Sequence, residues 1–227
     1  MIRVVDIETT GMEPGEGAEV IELGWYDVGP ERRFGVRFHG TQRPCPPEVR
    51  AVHHIHPSEY EGMPPFSRDL FMAEICRDSI RYLAAHNAEY EQRFLGDYFE
   101  TPWLCTYKCA LRVWPEAPHH GNQSLMYWLG LDTELDEGQR HPPHRALPDA
   151  YVTAAILRRL LCETTLDQMV QWSTEPRLLP RCPIGKFRNK PWSEVDRGFL
   201  DWMLRQADME ADLKWNARRE IDRRRRD

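Results

Sequence analysis

The 227-residue chain is predicted to be an α/β protein, a mixed sheet with flanking helices followed by a small C-terminal module. Three observations predict it. Three strand-like segments with tight connections open the chain, helical and strand segments then alternate, and the composition changes after Cys162.

Ile2–Glu8 reads as the first strand. Glu19–Val28 is the second, with apolar weight from Val20, Ile21, Leu23, Trp25 and Val28. Gly29-Pro30-Glu31 makes a turn and Arg33–His39 returns, so an antiparallel meander opens the sheet. Pro44-Cys45-Pro46-Pro47 is a rigid loop with a short helix starting near Pro47. Helical spacing appears next over Leu70–Ile80, then a short buried strand at Tyr82–Ala85 and a helical stretch at Glu89–Phe99. A strand near Trp103–Thr106 precedes helices around Tyr107–Trp114 and Gln123–Leu129. The long helix begins near Pro148, which suits a first helical position, and runs to about Leu161 with Tyr151, Ala155, Ile156 and Leu160 as its apolar stripe. Residues 166–183 read as a linker with a short helix over Thr165–Trp172 and then Pro176, Pro180 and Pro183. A compact module from Ile184 to about Leu204 precedes a charged end, so that 184–227 forms a small unit with a basic tail.

The composition, 41% hydrophobic and 29% charged, is that of a soluble protein. No apolar run approaches the ~20 residues that span a bilayer, and Met-Ile-Arg-Val-Val-Asp has no signal-peptide character. The expected location is the cytoplasm, with no membrane partner. Six scattered cysteines are too sparse for a disulfide scaffold. Cys105 and Cys109 lack two further ligands for zinc, and buried free thiols are expected instead. A net charge of −6 argues against a protein that merely coats nucleic acid. From Lys214 to Asp227, however, there are seven basic and three acidic residues. An acidic body suits carboxylates gathered around metal ions, and a basic tail suits a phosphate partner; Arg223–Arg226 alone fit a solvated helix end equally well.

Asp6-Ile7-Glu8 is the chief chemical feature. Side chains alternate along a strand, so Asp6 and Glu8 share a face, ~6.6 Å apart along it. Carboxylates aimed at one point repel unless a cation lies between them, and Mg²⁺ prefers a few carboxylates with water and phosphate oxygens. Ala85-His86-Asn87-Ala88-Glu89-Tyr90-Glu91 lies where a strand feeds a helix. His144-Arg-Ala-Leu-Pro-Asp149 opens the long helix, with Asp149 in its first turn and His144 on the loop before it.

Asp6-x-Glu8, His86-Asn87-Ala88-x-Tyr90-Glu91 and His144-x-Ala146-x-x-Asp149 resemble the three motifs of the DEDDh 3′→5′ exonuclease family. Glu19-Val-Ile-Glu-Leu-Gly24 and Ala51-Val-His53-His-Ile55 extend the likeness over roughly residues 1–162. Ile184-Gly-Lys-Phe-Arg-Asn-Lys190, with Phe199-Leu-Asp-Trp202 behind it, resembles a G-K-x-x-G-K module found within that family, with Asn189 where the module has glycine. The resemblance implies a ribonuclease-H-like exonuclease domain over 1–165. It implies two Mg²⁺ or Mn²⁺ ions held by Asp6, Glu8, Asp149 and Glu91, with His144 as general base and nucleoside 5′-monophosphates as products. Thr10, Gly11 and Met12 would line the terminal nucleotide; for Met12 an ordinary packing role is an equal alternative. Asn87 would contact the substrate backbone or else cap the next helix.

One position departs from the family. Its second motif ends in Asp and here Glu91 stands there, a methylene longer, with Glu89 two places early as a weaker substitute. The expected substrate is the 3′ end of DNA, single-stranded or duplex. An exoribonuclease and a catalytically weak nucleic-acid-binding or polymerase-associated subunit are compatible with the same residues. His53, His54, His56, His119 and His120 read as polar surface, and Trp25, Trp103, Trp114 and Trp128 as core. Trp192 and Trp202 serve either a small core or base stacking, flanked by Lys186, Arg188 and Lys190.

Overall fold

In the computed structural model, residues 1–75, 80–96 and 101–226 are described. Strands β1 (Ile2–Thr9), β2 (Val20–Val28) and β3 (Phe34–Phe38) form the expected meander; β4 (Tyr82–Ala85) and β5 (Trp103–Cys105) complete the sheet. The order is β3-β2-β1-β4-β5, with β1–β2 and β2–β3 antiparallel and β1–β4 and β4–β5 parallel. The parallel strands therefore point their carboxyl ends the same way, the usual place for a site in an open α/β sheet.

The alternation of β1 divides the core. Ile2 and Val4 face a cluster with helices α4 (Thr106–Val113), α5 (Asn122–Trp128), α6 (Ala146–Glu163) and α7 (Leu166–Thr174). Val5 and Ile7 face the other side, with Phe71 of α2 (Arg68–Ile75) and Phe94 and Leu95 of α3 (Glu89–Leu95). Asp6 and Glu8 continue the Ile2–Val4 face, under α6. Helix α1 (Pro47–His53) lies beyond β2, where Ile55 and Tyr60 pack on Ile21.

Some boundaries move. Helix α6 starts at Ala146, so Pro148 is its third residue. Its missing N–H is still one of those a helix leaves unbonded at its start, which is why the proline is tolerated there. Of the predicted helices over Leu70–Ile80 and Glu89–Phe99, 76–79, with Cys76, and 97–99 lie outside the described residues; Ile80 is not helical and Gly96 terminates α3. The stretch from 166 opens as α7, whose Met169 joins the main core and whose Ser173 hydroxyl accepts the Cys105 backbone N–H at 2.8 Å. Only the segment after α7 is extended connection.

The C-terminal module is larger than its sequence suggests. Helices α8 (Arg197–Arg205) and α9 (Ala211–Arg224) share a core of Cys182, Val195, Leu200, Met203, Leu213, Ala217 and Ile221. The basic tail is thus a packed helix, since Leu213, Ala217 and Ile221 recur every four residues beneath its charges. Arg224 donates to the carbonyls of Trp192 and Val195 and pairs with Glu220. Asn189 adopts φ 64°, the left-handed conformation that glycine favours and asparagine tolerates. Trp192 is a core residue whose indole N–H donates to the Leu179 carbonyl at 2.7 Å. Trp202 is 40% exposed and packs on Phe199, while Lys186 and Lys190 pair with Asp196 and Glu194. Buried Arg112 ties module to domain, bonding Glu175 and the Pro176 carbonyl with the Trp172 and Trp215 rings beside it.

One surface expectation, His53, and one core expectation, Trp128, are corrected. His53 is 2% exposed, because its Nδ1 accepts the Ile55 N–H at 2.9 Å and its Nε2 meets the Cys45 thiol. Trp128 is 38% exposed, being the last residue of α5. Cys45, Cys105, Cys109 and Cys182 are buried free thiols and Cys162 an exposed one. No helix among the described residues is long and apolar enough to cross a membrane.

Candidate metal centre

Asp6, Glu8 and Asp149 each bring a carboxylate oxygen within 4.8 Å of the other two. Asp6 and Glu8 come from one face of β1, and Asp149 from the first turn of α6. What brings α6 there is β2. Asp6 pairs with Gly24 and Glu8 with Glu22 across the β1–β2 ladder. A side chain at Gly24 would place its Cβ 2.3 Å from the Ala146 carbonyl carbon and the Leu147 nitrogen, so only glycine admits α6 this close.

Glu22 then fastens the helix. Helix α6 has no side-chain cap of its own. Its Ala146 N–H donates to Glu22 Oε2 at 2.9 Å, and the Arg145 guanidinium bonds both Glu22 oxygens at 3.0–3.2 Å. A carboxylate at a helix N-terminus is favoured by the helix dipole as well. Asp149 is oriented twice, accepting Gln123 Nε2 at 2.7 Å on Oδ1 and the His144 backbone N–H at 2.9 Å on Oδ2.

Such crowding disfavours ionisation. Burial, then the charges of Asp149, Glu8, Glu91 and Glu22, hold the Asp6 carboxyl well above its usual range. Burial and the charges of Asp149 and Glu22 push Glu8 up to about 8. Asp149 is also raised, by burial, against the lowering effect of its bonds from His144 and Gln123. Glu91 is 3% exposed and stands outside the three-carboxylate group, close enough for its charge to act on Asp6. Burial pushes it up to about 8, and its Oε2 is buried without a hydrogen-bond partner. Glu89 points to solvent. Hard, all-oxygen donors with raised pKa values and an unsatisfied buried acceptor fit a divalent cation of the Mg²⁺ or Mn²⁺ kind.

His144 is exposed at the edge of this cluster, with φ 58°. Its backbone N–H is bonded to Asp149, and its charge acts to lower that carboxyl's pKa. Beyond the end of β1, the Thr9 hydroxyl contacts the Tyr90 hydroxyl at 2.6 Å and donates to the Gly11 carbonyl, holding the Thr10–Met12 loop against α3. The Thr10 hydroxyl accepts the Glu19 N–H, so this side chain braces the loop. Met12 is 67% exposed and has no core to pack in. Asn87 makes no side-chain cap on α3; it sits at φ 75°, just before the capping residue Ala88. His86, pushed down to about 4 by burial, spans the Thr106 hydroxyl and the His120 carbonyl.

Sequence reasoning assigned no role to Glu22, Gln123, Arg145 or Tyr90. Glu22 left a signal, a single acid amid the apolar run Val20-Ile21-Glu22-Leu23; Gln123, on a polar helix face, left none.

Residues 4–157 match the RNase_T family model, described as Exonuclease. Exodeoxyribonuclease 10 of Escherichia coli (strain K12) is 30% identical over 215 residues, which are 92% of this chain and 92% of that protein. Exonuclease X, solved in complex with 5′ overhanging duplex DNA, superposes with a TM-score of 0.61 at 26% identity, over 76% of this chain and 99% of that one. The nuclease domain of 3′hExo, a DEDDh family member bound to rAMP, shares the fold at a TM-score of 0.53 and 16% identity, over 71% and 91% of the two chains.

Proposed function

The chain belongs to the RNase_T exonuclease family, and on that basis we propose that it is a metal-dependent 3′→5′ exodeoxyribonuclease working in the cytoplasm, where its free thiols stay reduced. The observation that carries this reading is the convergence of Asp6, Glu8 and Asp149 within 4.8 Å, with Glu91 near them and one of its buried oxygens unpaired. The likeness to exodeoxyribonuclease 10 and to a DNA-bound exonuclease X supports DNA as the substrate.

Asp6, Glu8 and Asp149 would hold two divalent ions, with Glu91 in support. When bound, such ions supply the positive charge that polarises the terminal phosphodiester and stabilises the attacking and departing oxygens. Thr10, Gly11 and Met12 form the seat of the terminal nucleotide, and Asn87 faces the strand behind it. His144, on an exposed loop, takes the proton of the attacking water at a ring nitrogen, the general-base role an imidazole can fill. Water oxygen bonds to phosphorus, the bond to the 3′-oxygen breaks, and a nucleoside 5′-monophosphate leaves a new 3′-hydroxyl. Tyr90, Gln123 and Glu22 act by position, holding the loop, Asp149 and α6.

The test is incubation of the purified chain with end-labelled single-stranded DNA, duplex DNA and RNA, in Mg²⁺ and in EDTA. Stepwise Mg²⁺-dependent release of mononucleotides from the 3′ end of DNA is expected. Release only from RNA would replace the substrate, and none from any of the three would end the nuclease reading.

A further inference from the structure

Beyond the three-carboxylate centre, an open cleft of about 410 Å³ lies between the 40–46 loop, α1 and the 57–65 segment. Arg43 and Arg50 line it, with Tyr60 and Glu61. Arg43 and Pro44 also line a second cleft of about 220 Å³, whose lining includes Thr10, Gly11 and Met12 together with Glu13 and Glu16. The two clefts share Arg43 and Pro44, so they adjoin there and together run from the Thr10–Met12 side towards Arg50.

The cations on this path are unpaired. Several other arginines are neutralised at close range, as Arg3 is by Asp27, Arg93 by Glu13 and Arg145 by Glu22. Among the described residues neither Arg43 nor Arg50 has a side-chain hydrogen bond or ion pair, and Arg50 Nε is buried with no acceptor. A buried donor left unmade costs free energy, about 1–3 kcal/mol for an ordinary group, and with no carboxylate among the described residues taking the rest of the fork, the part of Arg50 that lines the cleft is left for an acceptor from outside.

The surroundings hold Arg43 in place rather than neutralise it. Its loop is fixed by the Thr41 hydroxyl donating to its carbonyl at 2.8 Å, and by Glu19, whose carboxylate accepts the backbone N–H groups of Gln42 and Arg43. Gly17, at φ 91°, leaves the space in which the guanidinium lies; a Cβ there would come 2.7 Å from Arg43 Nη1. Planar guanidinium forks match the oxygens of a phosphodiester better than any other side chain does.

We propose that this path is a backbone subsite, in which Arg43 and Arg50 bind phosphodiesters of the substrate strand upstream of the nucleotide being removed. The proposal rests on the nuclease reading. Arg43, nearer the Thr10–Met12 wall, takes the first of these phosphates and Arg50 a later one.

The test compares hydrolysis of a single-stranded 12-mer with that of a dinucleotide too short to reach the cleft. Wild type is expected to favour the 12-mer through KM. Arg43→Gln and Arg50→Gln should each raise KM for the 12-mer about tenfold and lower the salt dependence of that KM by about one unit of slope, while leaving kcat/KM for the dinucleotide unchanged. Arg32→Gln, in the β2–β3 turn at the far end of the sheet, controls for loss of a positive charge and should change nothing. Should Arg50→Gln disturb folding, exposed Arg43 carries the test alone. Unaltered KM and salt slope in Arg43→Gln, or equal losses on both substrates, would overturn the subsite. Wild type inert on both substrates would instead remove the nuclease reading and the subsite with it.

Discussion

Asp6 and Gly24 are partners across the β1–β2 ladder, and the bare α-carbon of Gly24 lets the first turn of α6 lie close enough to place Asp149 beside Asp6. A residue with no side chain thus sets the spacing of a carboxylate cluster. Glu22, two places earlier, caps the same helix turn, so one stretch of β2 both admits and fastens α6.

Gly24→Ala should therefore damage site and stability together. Backbone 2.3 Å from the new Cβ cannot yield cheaply, and overpacking of this kind costs about 3 kcal/mol or more. Denaturant unfolding and Mg²⁺ titration check it; wild-type values for both would show that α6 does not depend on this approach.

Glu22→Gln breaks a pair in which Glu22 is 2% exposed, leaving Arg145 with only Glu59 and weakening the cap on Ala146. Loss of a buried partner typically costs about 3–5 kcal/mol. Because Arg145 is 22% exposed, the lower end of that range is expected in metal-free unfolding. A change under about 1 kcal/mol would mean the helix is fastened elsewhere.

Asp6→Asn should abolish nucleotide release and weaken Mg²⁺ binding measured by calorimetry. His144→Ala should lower kcat by about 10²–10⁴-fold while leaving Mg²⁺ affinity near wild type. A His144→Ala chain with a normal rate would dismiss the imidazole as base.

The metal-free chain should lose stability as pH rises. Glu8 and Glu91 are raised to about 8 from 4.5, chiefly by burial, and Asp6 is raised too. The folded state thus keeps protons that the unfolded state releases, and this stability is full below 4.5 and lost as pH climbs through about 8. Divalent ions replace those protons, so the Mg²⁺-induced rise in Tm should grow across that window. Glu91→Gln should shrink the growth. A Tm increment that ignores pH would contradict the assignment of these carboxylates as the ion's ligands.

Much of the architecture was written locally. Apolar weight and turn signals marked β1 to β3, and the alternation of side chains along a strand set Asp6 and Glu8 on one face regardless of what covers that face. The stripe of α6 and the early proline marked a helix near Asp149, with the start misplaced by two residues because capping came from another strand. These features arise from neighbours in the chain. The approach of α6 at Gly24, the cap from Glu22, the bond from Gln123 to Asp149 and the packing of α9 came only with the tertiary structure. Each joins residues far apart in sequence, and the contacts that decide them exist only once the chain has closed on itself. In α9 the three core positions are hidden among arginines that dominate its composition. The unpaired state of Arg43 and Arg50 has the same origin, since a charge lacks a partner only by where the rest of the fold has put the others.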